Sequence, residues 1–312
     1  MKYVPPFFMG LCVLVSACAG ASNGADNTTS PAAGSAGSQL SGGGGSIAGG
    51  STGDGGGTSA SGGTSGTNTT GGTGALGGTA GAAAQGGAPS NIDYSIFQLQ
   101  LPTGSGNSPT TVTTKELLAG YSDSYFYTAA DGGQIFMDPA TGITTLGSQH
   151  CRSELRESTA AGGPANWLSS ATNTMTVSGK VLQVGGGSSG SVTIAQVFND
   201  TDAITLCELQ YSVSRHGLVF FYEEAKADGS SIDLKTPIAL NARYSFTLEY
   251  SLGVLTATVN GKQVHSQKPS SAVAGGKFYF KVGAYDQTSS AGPVGTTPYT
   301  VVEDYSVDIV HK

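Results

Sequence analysis

From Phe97 to the C-terminus the chain runs in short apolar and polar alternations whose period is two, not 3.6. Tyr244–Ser251 is typical: Tyr244, Phe246, Leu248 and Tyr250 fall on one side of an extended backbone and polar residues on the other. Comparable runs rich in Val, Ile, Thr, Tyr and Phe occur at Phe97–Leu101, Thr174–Val177, Lys180–Val184, Ser191–Asn199 and Thr205–Ser214. Others follow at Leu218–Glu224, Val254–Val259, Lys277–Tyr285 and Val301–Val310. Gly, Asn, Asp and Ser clusters separate them, and Leu252-Gly253 and Asn260-Gly261 read as hairpin turns. Helix is scarce, with one short turn predicted over Thr113–Ala119. Strands at this spacing predict an all-β fold, a two-sheet sandwich or jelly roll. No repeat of solenoid or propeller period is present.

The first third of the chain changes that picture. Of 49 glycines, 25 lie between residues 19 and 90, in a stretch of Gly, Ser, Thr and Ala. Such a segment has too little apolar surface to offset its chain entropy and is expected to be a disordered linker. The 312 residues therefore reduce to one domain over 91–312. Residues 1–18 read as an export signal, with Lys2 ahead of an apolar stretch from Phe7 to Val15. The ending Leu14-Val15-Ser16-Ala17-Cys18 resembles a bacterial lipobox, which implies lipidation of Cys18; the alternative is a plain signal with an incidental cysteine. Ala19 in place of Asp then implies an outer-membrane or cell-surface address in a Gram-negative cell. A linker of 72 residues spans ~45–50 Å r.m.s., enough to hold a domain clear of a membrane.

Charge narrows the partners. There are 14 Lys+Arg against 21 Asp+Glu with no basic run, which argues against nucleic acid. No apolar stretch after residue 20 is long enough to span a bilayer. Two cysteines remain in the domain, Cys151 and Cys207, and in an oxidising compartment a disulfide between them is expected, worth roughly 4 kcal/mol; two buried thiols are the alternative. Four histidines without paired Cys/His spacing make a metal site improbable, and no cofactor is expected. The domain is expected to act as a monomer.

Three strands carry unusual polar faces. In His150-Cys151-Arg152-Ser153-Glu154-Leu155-Arg156-Glu157, alternation puts His150, Arg152, Glu154 and Arg156 together. Two arginines around a glutamate form a cationic array suited to holding carboxylates. Alone, such a run also describes a solvated face with cross-strand ion pairs. In Ile194–Asn199, Gln196 and Phe198 share a face. In Tyr279–Gln287, Tyr279, Lys281, Tyr285 and Gln287 align, and Gly283 between them marks close approach of a ligand or backbone.

In this order and spacing the three segments resemble the signature regions of alginate lyases of polysaccharide lyase family seven: Arg-Ser/Thr-Glu-Leu-Arg, Gln-Ile/Val-His and Tyr-Phe-Lys-Ala-Gly-x-Tyr-Asn-Gln. Phe97–Pro102 (FQLQLP), Thr144–Glu157 (TTLGSQHCRSELRE) and the Val259-Asn260-Gly261 turn extend the likeness. The resemblance implies a β-jelly roll (concanavalin-like) with a concave groove for an acidic polysaccharide of uronates, cut by β-elimination. A base removes H5 and the C4–O bond breaks. The obstacle is the adjacent carboxylate, so donors that neutralise it lower the barrier most. The family pattern carries that role to Arg152 and Gln196, and proton transfer to Tyr285, whose phenolate Arg152 and Lys281 would favour. Glu154, Arg156, Lys281 and Gln287 would orient substrate or catalytic groups, with Phe198 and Tyr279 beside them on the substrate path.

Phe198 departs from the pattern, which has histidine there. Phenylalanine carries no proton. Either Tyr285 serves as both base and acid, which suits β-D-mannuronate and β-D-glucuronate, where H5 and the C4 oxygen leave from one face. Or His150, with the parity of Arg152, supplies the imidazole, for instance on glucuronan or another exopolysaccharide. Or catalysis is lost and a polyuronate-binding lipoprotein remains. Trp167 is expected to pack, and His216, His265 and His311 to be surface residues.

Overall fold

The computed structural model describes residues 90–312 apart from 227 and 296. The signal, Cys18 and most of the linker lie outside the described residues.

Alternating side chains lay the strands into two sheets of a jelly-roll sandwich, nearly all pairs antiparallel. One sheet runs in the order Lys262–Gln267, Val254–Val259, Tyr244–Ser251, Thr172–Gln183, Tyr299–His311, Gln134–Pro139 and Phe126–Thr128. Its edge hairpins turn at Leu252-Gly253 and Asn260-Gly261, all four residues having the positive φ that a two-residue type I′ turn requires. The second sheet runs Ser230–Pro237, Gly217–Tyr222, Ile204–Ser212, Ser191–Asn199, Lys277–Asp286, Ser153–Glu157, Phe97–Ser105 and Ser108–Val112. Leu99, Leu155, Val197, Leu209, Phe220 and Val282 from this sheet meet Met175, Val177, Phe246, Leu248, Tyr250 and Val302 from the first in one core. Each such side chain contributes about 1.5–3 kcal/mol on burial.

The sheets differ on their outer faces. Tyr244–Ser251 alternates buried and half-buried residues throughout, as a strand with one wet face does. Lys277–Asp286 is buried at eight of ten positions, because its outer face lies under a groove. The expected helix forms at Thr114–Leu118, held by a Thr113/Glu116 capping box.

The expected disulfide is absent: Cys151 and Cys207 are free, buried thiols. The strands of Ser191–Asn199 and Lys277–Asp286 lie between them. Three strand spacings amount to about 14 Å, twice the reach of a disulfide. Cys151 Sγ donates instead to the Pro139 carbonyl (3.4 Å), and burial pushes both thiols well above their ordinary range.

Candidate active site

The outer face of the second sheet carries a groove of about 620 Å³. Cross-strand register assembles it: Lys281 lies opposite Arg156 on one side and Gln196 on the other, and Gln196 lies opposite Glu208. One step along, Phe198 pairs with Tyr279, their rings 5.2 Å apart. Pairing slips by one residue between Thr193 and Ala195 on both sides of the Ser191–Asn199 strand. This bulge brings Thr193 to the groove side, where its hydroxyl donates to Glu208 (2.6 Å) and accepts from Gln287 (3.0 Å).

Arg152, Arg156, Phe198, Tyr279, Lys281, Tyr285 and Gln287 all line the groove, so most of the residues singled out by sequence converge. The Arg152 guanidinium stands 3.9 Å from the Tyr285 ring centroid. Arg152 also donates to Ser148 Oγ (2.8 Å), which is 3.0 Å from the Tyr285 hydroxyl. Burial pushes the Tyr285 phenol above its ordinary value; Arg152 and Ser148 pull the other way and do not overcome it. The expected stabilisation of a phenolate is thus present as a direction but outweighed in the free protein.

Glu154 and Gln196 lie beneath the groove and do not line it. Glu154 is 2% exposed and receives Arg152 (3.3 Å) and the Gln196 amide, with Lys281 Nζ at 3.9 Å. It holds these groups in place. Gln196 keeps its carbonyl oxygen buried without a partner. Arg156 stacks on Tyr279 and faces Asp200 at 3.9 Å.

His150 is placed differently from its expected position. The strand begins at Ser153, so the alternation that would align His150 with Arg152 does not extend back to it. Its ring packs edge-on to Tyr285, centroids 6.0 Å apart, Nδ1 meets the Ser289 carbonyl, and the side chain does not line the groove. Gly283 has φ 142°, and a Cβ there would meet Ser153 O at 2.6 Å and Glu154 Cα at 2.9 Å. It therefore serves backbone approach and makes no room for a ligand.

Ser148, Thr193, Glu208 and Gln210 were not singled out in the sequence. Glu208 and Gln210 share a face by period two, and this was the available signal; the two polar residues are joined at 2.6 Å. Burial raises the Glu208 carboxyl, opposed by hydrogen bonds from Thr193 and Gln210. Trp167, His311 and His265 are held in contacts that do not line the groove. Trp167 donates to Glu157 (2.9 Å), His311 meets the same carboxylate (2.7 Å), and His265 packs on Phe220. Among the described residues, no group of three or more His, Cys, Asp or Glu side chains is placed to hold a metal ion.

The alginate lyase family model matches residues 92–311. An alginate lyase from Pseudomonas aeruginosa is 27% identical, with a TM-score of 0.63 over 70% of this chain and 100% of that one. The family 7 alginate lyase A1-II′, in a crystal structure with substrate (GGMG), is 30% identical, with a TM-score of 0.62 over 72% of this chain and 97% of that one. The alginate lyase from Corynebacterium sp. shares the fold at 23% identity, with a TM-score of 0.60 over 71% of this chain and 96% of that one. No curated protein matches the chain. With its three signature strands meeting in one groove and the match spanning nearly all of the folded domain, this chain belongs to the alginate lyases, the polysaccharide lyases of family seven.

Proposed function

We propose that the protein cuts a 1,4-linked polyuronate by β-elimination, with poly-β-D-mannuronate as its preferred substrate and Tyr285 as both base and acid. The observation that carries this reading is the pair at the groove wall. Tyr285 is the proton-bearing group beside the Arg152 guanidinium, while the position two residues after Gln196 holds a phenyl ring. Elimination from mannuronate removes H5 and the C4 oxygen from one face, so a single phenol within reach of both suffices. Guluronate presents them on opposite faces and requires a second proton carrier, which Phe198 cannot be. Arg152 neutralises the carboxylate as charge develops beside it, and Gln196 holds the Glu154 hub that aims Arg152.

The test is ultraviolet absorbance of the unsaturated product across polymannuronate, polyguluronate, glucuronan and hyaluronan. Polymannuronate is expected to give the largest kcat/KM. Cleavage confined to polyguluronate would refute the role given to Phe198, and binding without any absorbance rise would favour a non-catalytic polyuronate-binding protein. With its Nδ1 at the Ser289 carbonyl, His150 gives little support to the form of the glucuronan alternative that uses its imidazole; β-D-glucuronate, which differs from mannuronate at C2, stays open to Tyr285 alone. The same reading places the domain on a lipid anchor at Cys18, working on polymer outside the cell.

A further inference from the structure

Lys281 is a buried and poorly satisfied charge in the groove. Its side chain is 7% exposed, yet among the described residues its nitrogen has no hydrogen-bond partner. The nearest anionic oxygen, Glu154 Oε2, is 3.9 Å away, and Nζ otherwise stands 4.2 Å from the Phe198 ring centroid and 5.8 Å from that of Tyr279. The other buried cation of the site is committed: Arg152 donates to Ser148 and Glu154. A buried ammonium without acceptors is costly, and a neutral amine in the same place is much less so.

The surroundings decide between the two forms. Glu154 and Arg156 face Lys281 from the Ser153–Glu157 strand, and Arg152 from just before it. Gln196 and Phe198 face it from the opposite strand, with Glu208 one strand further and Tyr279 on its own. Burial brings the Lys281 amine down to about 7; Glu154 opposes this, and Arg152 and Arg156 add to it. Nζ also lies against the ring that replaces the imidazole of the family pattern. A uronate carboxylate entering there would supply the missing acceptor and a second counter-charge beside Glu154, which Arg152 already shares.

We propose that Lys281 receives the reacting sugar's carboxylate in place of the absent imidazole, and that it does so by taking up one proton from solvent as the uronate enters. The amine becomes an ammonium that donates to the carboxylate oxygen; no other bond changes, and removal of H5 stays with Tyr285. Lys281 thereby neutralises the group whose charge opposes elimination, while the empty groove escapes a permanently buried cation.

This inference rests on the polyuronate reading, and its test separates the two. The full chain carrying Tyr285→Phe is titrated with tetramannuronate by calorimetry at pH 8, in buffers of different ionisation enthalpy. The buffer dependence is expected to report uptake of about one proton per chain at pH 8, fading by pH 6. Adding Lys281→Met is expected to abolish the uptake and weaken binding about tenfold. Adding Lys281→Arg is expected to abolish the uptake while binding persists, since guanidinium is charged throughout. Binding without buffer dependence, or uptake that survives both substitutions, overturns the inference while leaving the polyuronate reading intact. No binding of mannuronate or guluronate oligomers by the parent overturns that reading and the inference with it.

Discussion

The hydroxyl of Ser148 lies between the Arg152 guanidinium and the Tyr285 phenol, 2.8 and 3.0 Å from each, and links them into one unit. In the proposed mechanism the unit sets a fixed cation beside the group that carries the proton. Tyr285→Phe removes the proposed proton carrier but leaves Arg152, Arg156 and Lys281 in the groove. Steady-state absorbance is expected to fall about 10³-fold in kcat with oligomannuronate affinity little changed. A variant that keeps most of its turnover would exclude Tyr285 from proton transfer. The pH dependence follows from the same residue. Its phenol is raised by burial and so is protonated near neutrality; the phenolate fraction, and kcat with it, is expected to climb as pH rises into the alkaline range.

At the scale of the element, the strand Lys277–Asp286 does the most to build the site, and Gly283 is its pivot. At φ 142° it lets the strand pass within a Cβ's width of Ser153 and Glu154, and Phe136 closes the remaining space at 2.9 Å. The neighbours are backbone and a core ring, which cannot move aside cheaply. Gly283→Ala is therefore expected to destabilise the domain by about 3 kcal/mol in urea titration and to lower activity by shifting Lys281 and Tyr285. Gly253→Ala is the control: its φ is also positive (73°), but nothing lies within 4 Å of a Cβ there, so about 1 kcal/mol is expected. Equal losses at the two positions would show that strand approach at Gly283 is not tight.

On the scale of the molecule, a chain of net charge −7 binds a polyanion through a restricted cationic floor. Arg152, Arg156, Lys226 and Lys281 line the groove, against Asp200, Glu208 and Glu223 in the same lining. Gathering these cations in one groove favours holding the polymer where it is cut. The lipobox-like ending at Cys18 predicts where this happens. Cys18→Ser is expected to move the protein from the membrane pellet to the soluble exported fraction while leaving the domain's kcat unaltered; continued pelleting of that variant would remove the anchor from the account.

Much of this was legible from residues alone. Period two sets strands because alternate side chains must reach opposite faces, and it places Gln196, Phe198, Lys281 and Tyr285 on polar faces from the sequence alone. The thiols Cys151 and Cys207 show where local pattern stops, since two intervening strands separate them and sequence distance carries no sheet order. His150 shows the same limit at shorter range: parity holds only within a strand, and the strand starts three residues later. Tertiary structure alone decided which polar side chains are sealed beneath the groove and which are open to it. Alternation tells which side of a sheet a residue takes, whereas burial, and with it the raised phenol of Tyr285 and the lowered amine of Lys281, depends on how many neighbours the fold crowds around that side.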